Sequence, residues 1–231
     1  MDIQRARQIA SQSHRLTWDE STKSWALRPA DVQGLWLVAE DAKPTGRSAW
    51  LSTYTGQAVL VDFDKGQVVY GPFPIATHPG QKRTNASDAA DVNGDGLKDV
   101  AWTLPRVAYP MVPKVNSSGR HNPVHKFQAV QRDVGGFGVP DPLWTASYPP
   151  PFKYVVGWLT AAEAGIKPSD PQARVRPRIY QATLIQFHAG NKSGPSSIGC
   201  WTSPPDVYKK ASEYIQRHGQ NWHMTFERSD K

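Results

Sequence analysis

The stretch AVLVDFDKGQVVYGPFPI, residues 58–75, holds two short runs of β-branched and aromatic residues on either side of DKGQ. Residues of these types are enriched in strands. A glycine between two such runs can supply the positive φ of a tight hairpin turn. The stretch therefore predicts strands at residues 58–64 and 67–75, with Gly66 in the turn that joins them.

Further segments of similar character surround this hairpin. Runs at residues 34–41 and 49–55 are also short, apolar and bounded by turn residues, so we expect an antiparallel meander with Gly56 in a second turn. The other predicted elements are helices at residues 3–13, 159–166 and 204–219 and strands at residues 127–134, 178–190 and 221–228. This order predicts a mainly β fold, a sandwich or barrel with a few short helices and long loops.

The length of the chain suits one elaborated domain, and we predict a single domain over residues 1–231. Within it we expect an N-terminal helical segment at residues 1–30 and a loop insertion at residues 76–126. The hydrophobic fraction of 39% is enough for a sizeable core.

The composition also narrows the classes of function. The formal net charge is +7, yet the chain has no Lys- or Arg-rich run, no zinc-finger pattern and no helix-turn-helix pattern. Diffuse positive charge favours an anionic partner such as an acidic cell-wall polymer, and we expect no nucleic-acid partner. No apolar stretch approaches the length of a membrane span, and the first residues lack the apolar core of a secretory signal. We therefore expect no transmembrane segment.

The polar stretch DVNGDGLKD, residues 91–99, has the spacing of a calcium loop. Side-chain oxygens alternate along it, a glycine allows the sharp turn, and one backbone carbonyl can complete the ligand set. The candidate ligands are Asp91, Asn93, Asp95, Asp99 and the carbonyl of Leu97. The stretch resembles the calcium loops of dockerins and of β-propeller and thrombospondin-type repeats. We expect a structural calcium ion and no organic cofactor; the alternative is a turn rich in Asp and Asn that holds no ion.

The only cysteine of the chain, Cys200, follows a glycine in a loop of small residues, HAGNKSGPSSIGC, which begins at His188. A nucleophilic thiol requires a base, a group that orients the base, and N–H donors for the oxyanion. The imidazole of His188, at the end of a predicted strand, can serve as the base. A glycine before the cysteine leaves its backbone amides accessible to a developing negative charge. The alternative is a structural cysteine, the commoner role of a single buried thiol.

His188, Ser197, Gly199 and Cys200 together resemble the signature of the L,D-transpeptidase catalytic domain. The flanking order of strand, motif, helix and final strand over residues 178–226 is similar as well. Ile198 stands where that family often has a second histidine.

The resemblance implies a cysteine enzyme that acts on the peptide stems of peptidoglycan. Cys200 would attack an L,D-amide, His188 would accept and return the proton, and the carbonyl of Ala189 would orient the imidazole. The amides of Gly199 and Cys200 would bind the oxyanion, and Ser197 would brace the loop. An amine or water would then resolve the thioester, which gives an L,D-transpeptidase or an L,D-carboxypeptidase.

Such an enzyme would act in the periplasm or the cell wall, after export by another route or after removal of a leader. It could be an exported antibacterial or lytic protein. Side chains that could contact the substrate are Trp201, His121, His125 and Tyr109. We assign no role to His14, His78, His218 and His223.

A second function class fits the same composition. A non-catalytic β module, stabilised by calcium, could bind a cell-wall polymer through its tryptophans and its basic residues. In that case Cys200 would have the reactivity of an ordinary thiol.

Overall fold

The chain folds mainly as β-strands, and a computed structural model describes residues 1–21, 24–42, 53–78, 101–132, 180–197 and 199–229. The helices of these residues are α1 (Ile3–Ser11) and α2 (Pro205–His218). Their strands are β1 (His14–Asp19), β2 (Ser24–Pro29), β3 (Leu35–Ala42), β4 (Gly56–Asp62), β5 (Gln67–Ile75), β6 (Ala101–Thr103), β7 (Tyr109–Val115), β8 (His121–Pro123), β9 (Phe127–Arg132), β10 (Tyr180–Thr183), β11 (Phe187–Ala189), β12 (Trp201–Ser203) and β13 (Trp222–Ser229). The predicted mainly β fold with a few short helices is confirmed.

The largest sheet has eight strands in the order β12-β11-β8-β7-β13-β3-β4-β5. Its two edges approach each other, because Ala76, which follows β5, forms an antiparallel bridge with Thr202 of β12. Two backbone hydrogen bonds of 2.8 and 3.0 Å make this bridge. The sheet is thus nearly closed and resembles a barrel. A three-stranded sheet, β10-β9-β6, and the hairpin β1-β2 complete the described β structure.

Strand β3 is buried on both of its faces. Leu35, Leu37 and Ala39 belong to the main hydrophobic cluster, whereas Trp36 and Val38 pack in a second cluster beneath α1. A strand covered on both sides needs a continuous apolar run rather than an alternating pattern. The sequence LWLVA meets that requirement.

Helix α1 covers the outer face of the sheet. Its side chains Ala6, Ile9 and Ala10 are buried there, and Asp2 caps its first turn by accepting a hydrogen bond of 2.8 Å from the backbone of Arg5. The guanidinium of Arg5 pairs with Glu40 of β3 at 2.7 Å and with Glu227 of β13 at 2.8 Å. These contacts tie α1 to two adjacent strands.

Helix α2 fits the predicted pattern closely. Pro204 is its N-cap residue, Asp206 lies in its first turn and Gly219 is its C-cap residue. Proline at a helix start and a negative charge near the N-terminus are both favourable there. Its buried face, which includes Ala211 and Ile215, packs in the main cluster.

The hairpin of residues 58–75 is confirmed, with β4 and β5 antiparallel and Gly66 at a φ of +64°. Gly56, predicted to lie in a turn, instead begins β4. A Cβ at Gly56 would lie 3.0 Å from Cγ of Asp41, so the close approach of β3 explains the glycine. Of the strand predicted at residues 49–55, the described residues 53–55 are not in a strand.

Two other boundaries differ from the prediction. The helical segment expected at residues 1–30 ends at Ser11, and the hairpin β1-β2 follows it. The strand expected at residues 178–190 is two strands, β10 and β11. Leu184 between them has a φ of +59°, which a regular strand cannot contain. The insertion expected at residues 76–126 contains β6, β7 and β8.

The helix predicted at residues 159–166 lies outside the described residues. No helix among the described residues is long and apolar enough to cross a membrane.

A buried ion pair joins β3 to β13. Nη1 of Arg228 lies 2.9 Å from Oδ2 of Asp41, and the two side chains are 4% and 0% exposed. Thr55 and Thr77 also donate their hydroxyl protons to the Asp41 carboxylate. Burial alone would raise the pKa of Asp41, but Arg228, His78 and the two threonines together lower it below its ordinary value. The carboxylate is therefore ionised in the folded protein.

We expect Asp41→Asn to lower the free energy of unfolding by about 3–5 kcal/mol, because it leaves the guanidinium of Arg228 buried without its counter-charge. Urea denaturation followed by circular dichroism measures the change. The matched control is Glu213→Gln, which removes an exposed ion pair of 3.7 Å with Arg217; we expect a loss below about 1 kcal/mol. Equal losses for the two variants would contradict this account of the pair.

Candidate functional site

His188 and Cys200 lie on two neighbouring parallel segments. In the pair β11-β12, Phe187 is opposite Trp201 and His188 is opposite Thr202. Because side chains alternate between the faces of a strand, His188 and Thr202 share one face, and Phe187 and Trp201 share the other. Cys200 lies just before β12, two residues before Thr202. Diagonal neighbours on one face of a sheet are about 7–8 Å apart, a separation that long or aromatic side chains can span. The topology therefore brings the predicted base and nucleophile near each other.

The sulfur of Cys200 contacts the backbone just before β11. Its thiol donates to the carbonyl of Leu184 at 3.4 Å, and Cys200 is partly exposed. Burial raises the pKa of the thiol, while a hydrogen bond from the backbone of Gln186 and the charge of Arg120 oppose that rise. The net direction is upward, so the resting state is the neutral thiol.

The imidazole of His188 is held by the carbonyl of the next residue. Nδ1 lies 2.7 Å from the oxygen of Ala189, and the residue is 6% exposed. A carbonyl only accepts hydrogen bonds, so Nδ1 carries the proton and Nε2 keeps its lone pair. Burial lowers the pKa of His188 to about 4. The hydrogen bond to Ala189 opposes this shift, and the positive charge of Arg120 adds to it. His188 is thus a neutral imidazole that is held by the Ala189 carbonyl and whose Nε2 can accept a proton.

The cysteine and the histidine are not hydrogen-bonded to each other, since the partner of the sulfur is Leu184 and that of the ring is Ala189. Transfer of a proton between them requires the sulfur to leave the Leu184 carbonyl. Leu184 is 59% exposed and has a φ of +59°. Such a backbone conformation is costly for a leucine, and here it points the carbonyl at the thiol.

Arg120 brings a positive charge to this surface, a feature that we did not predict. Its Nη1 lies 3.4 Å from Oε1 of Gln186, the residue before β11. The charge lowers the pKa of the Cys200 thiol and that of His188. It therefore favours the thiolate form of Cys200 and the neutral form of His188. Arg120 directly precedes β8, which is distant from β11 in sequence and pairs with it only in the sheet. No motif around Arg120 therefore indicates its effect on Cys200 and His188.

The loop before Cys200 is braced by Ser197, as predicted. The hydroxyl of Ser197 donates to the carbonyl of Cys200 at 2.7 Å and accepts a hydrogen bond of 3.4 Å from the amide of Gly199. The Gly199 amide, predicted to bind an oxyanion, therefore already has an acceptor in this conformation. The amide of Cys200 has no hydrogen-bond acceptor among the described residues, so it remains available to an oxyanion. Ile198 lies outside the described residues.

Gly199 is required because the loop packs directly against β6. A Cβ there would lie 2.7 Å from Cβ of Ala101 and 2.8 Å from its carbonyl oxygen. Its φ of +151° is also one that other residues rarely adopt. Strand β6 therefore approaches the loop so closely that only glycine fits before Cys200.

Three of the predicted substrate contacts are core residues. Trp201 is 0% exposed and donates from Nε1 to Thr103 at 3.0 Å. Tyr109 is 2% exposed, and its hydroxyl donates to the carbonyl of Ala129. His121 is 0% exposed and lies opposite Phe187, on the face away from His188. Fully buried side chains do not contact a ligand in this conformation, so we assign a packing role to all three.

The remaining predicted residues lie elsewhere. His125 is exposed and lines a cavity that does not include Cys200 or His188. Asp91, Asn93, Asp95, Leu97 and Asp99 lie outside the described residues.

Comparison of the chain with protein-family models, with curated proteins and with solved structures found no match.

We expect Arg120→Gln to slow the alkylation of Cys200 at pH 8 by about threefold or more, because loss of the positive charge disfavours the thiolate. Mass spectrometry of the iodoacetamide adduct over time measures the rate. Arg217→Gln, which removes the same charge from the exposed face of α2, should leave the rate unchanged. An unchanged rate in Arg120→Gln would show that this arginine does not act on the thiol.

Proposed function

We propose that the protein is a cysteine enzyme that cleaves an L,D-amide bond in the peptide stem of peptidoglycan through a thioester on Cys200. The observation that supports this most directly is the arrangement of His188. Its Nδ1 proton is fixed on the Ala189 carbonyl, and its neutral ring lies opposite Thr202, two residues after the thiol of Cys200. The resemblance of the motif to L,D-transpeptidases supplies the substrate class, and the net charge of +7 suits an anionic wall polymer.

The proposed chemistry begins from a neutral pair. The thiol proton moves to Nε2 of His188 as sulfur attacks the amide carbon, and the oxyanion accepts a hydrogen bond from the amide of Cys200. Collapse of the tetrahedral intermediate breaks the C–N bond, and His188 returns the proton to the leaving amine. An amine or a water molecule then attacks the thioester and releases the thiol. The site of action would be the periplasm or the cell wall, where this polymer lies.

Cys200→Ala should abolish the conversion of tetrapeptide muropeptides, and His188→Gln should reduce its rate by at least about 1000-fold, because both remove a group that acts in the bond-breaking step. Mass spectrometry of muropeptides incubated with each variant measures the products. His218→Gln, an exposed histidine on α2, is the control with expected full activity. Conversion by Cys200→Ala at the rate of the parent would rule out the proposal.

The pH profile tests the state of the histidine. The free enzyme should keep its kcat/KM as the pH falls through 6.5 and lose activity only near the pKa of His188, about 4, where Nε2 becomes protonated. The folded-state pKa is lowered, so the active neutral form is present above about 4 and is lost below it. A loss of activity centred near pH 6.5 would contradict the described environment of His188.

We also propose a structural calcium ion on Asp91, Asn93, Asp95, Asp99 and the carbonyl of Leu97, on the sequence pattern alone. Calcium at 100 times its dissociation constant should stabilise the folded protein by about 2.7 kcal/mol, seen as a higher Tm. Asp95→Asn should lose this response and Glu213→Gln should keep it. A Tm that calcium leaves unchanged would remove the proposal.

The alternative is a non-catalytic module that binds the wall polymer. The observation that favours it is the resting thiol, which is hydrogen-bonded to Leu184 and has a raised pKa. This alternative predicts that alkylated protein sediments with peptidoglycan as well as the parent does, and that neither form changes the muropeptides. Turnover that disappears on alkylation would exclude it.

A further inference from the structure

A cavity that is not lined by Cys200 or His188 opens between β1, β7 and the start of β13. Its volume is about 550 Å³, within the range of sites that bind small molecules. One wall is apolar and includes Pro110, Val112 and Val124, the last of which is 56% exposed. Another part of the lining is formed by Arg15 and His223.

Arg15 and His223 hold each other in one geometry. Nη2 of Arg15 lies 2.7 Å from Nε2 of His223. A guanidinium only donates hydrogen bonds, so Nε2 of the histidine accepts and its proton is on Nδ1. The ring of His223 is 4% exposed and stacks on Trp36, with centroids 4.7 Å apart and planes at 24°. The guanidinium is therefore positioned by a neutral, buried imidazole.

This contact leaves two donors without acceptors. Nε of Arg15 and Nδ1 of His223 are buried, and neither has a hydrogen-bond partner within the part of the chain that the structure describes. Buried donors are nearly always paired. Arg15 also forms no ion pair with a carboxylate among the described residues, although Asp31 and Asp64 line the same cavity. Arg15 therefore lines the cavity as a guanidinium that no described carboxylate neutralises.

We propose that the cavity binds a small monocarboxylate whose anionic group pairs with Arg15 and whose apolar body packs against Pro110, Val112 and Val124. A carboxylate matches the planar fork of a guanidinium and carries one negative charge. A phosphate dianion would add charge beside Asp31 and Asp64 and is disfavoured. His223 is a positioning residue, since it orients Arg15. This site does not depend on the proposed activity of Cys200.

The test uses 4-phenylbutyrate as the probe and its neutral analogue 4-phenylbutanamide as the matched ligand, with the full chain in isothermal titration calorimetry. The carboxylate should bind, and the amide should bind at least about tenfold more weakly, because it lacks the charge that Arg15 requires. Phenyl phosphate should also bind more weakly than the carboxylate. Equal affinities for the acid and the amide, or no binding of the acid at millimolar concentration, would overturn the proposal.

Variants locate the site. Arg15→Gln should weaken 4-phenylbutyrate by about tenfold or more, and Arg217→Gln should leave its affinity unchanged. Should Arg15→Gln fail to fold by circular dichroism, Val124→Asp places a negative charge at the exposed rim without removing a buried contact, and it should weaken the carboxylate while sparing the amide. Chemical shifts of the Trp222 and His223 amides should move on titration of the parent. Weakening by Arg217→Gln equal to that of Arg15→Gln or Val124→Asp would overturn the assignment.

Discussion

Two backbone hydrogen bonds between Ala76 and Thr202 join the two edges of the eight-stranded sheet, the residue after β5 to strand β12. Strand β12 has only three residues, and it is fixed by β11 on one side and by this bridge on the other. The bridge determines where Thr202 lies, and the parallel register then determines where His188 lies. The residue after Ala76, Thr77, donates to the buried carboxylate of Asp41. The candidate site and the buried ion pair therefore share one support.

Burial disfavours the charged form at Asp41, Cys200 and His188 alike, but only Asp41 has enough partners to stay ionised. At Asp41 the charged form has two hydroxyl donors and a guanidinium, so it persists without solvent. At Cys200 and His188 the hydrogen bonds are fewer, and burial favours the neutral thiol and the neutral imidazole. The opposite charge of Arg228 and the hydrogen bonds to the carboxylate, rather than depth alone, distinguish the ionised Asp41 from the neutral Cys200 and His188.

The prediction was accurate for elements whose start, end and apolar pattern are all set by residues within the element itself. The hairpin β4-β5 has its turn glycine and its two apolar runs within one stretch, and α2 carries both of its end signals. The turn assigned to Gly56 and the extent of the strand after residue 178 were wrong because their causes lie elsewhere in the fold. Asp41 approaches Gly56 from β3, and the backbone of Leu184 turns to meet the loop of Cys200.

The same distinction applies to the site. The motif places His188, Ala189, Ser197 and Cys200 together because they are close along the chain. The position of Arg120 depends on pairing between strands that are distant in sequence, and so does the burial of Trp201, His121 and Tyr109. A local sequence pattern cannot predict such pairing. The hairpin β1-β2 was missed although Leu16 and Trp18 alternate with polar residues, a pattern typical of a strand.

Strand β13 lies between β7 and β3, in the middle of the eight-stranded order, although it follows every other strand of the sheet along the chain. While the polypeptide is being synthesised, the β3-β4-β5 meander can form early, but the edge of β3 that faces β13 stays without a partner until residue 229 has left the ribosome. That edge is apolar on both faces, which is the property that promotes pairing with other chains. A ribosome that stalls before residue 222 would leave a nascent chain prone to aggregation, and chaperone binding would be needed most at that stage of synthesis.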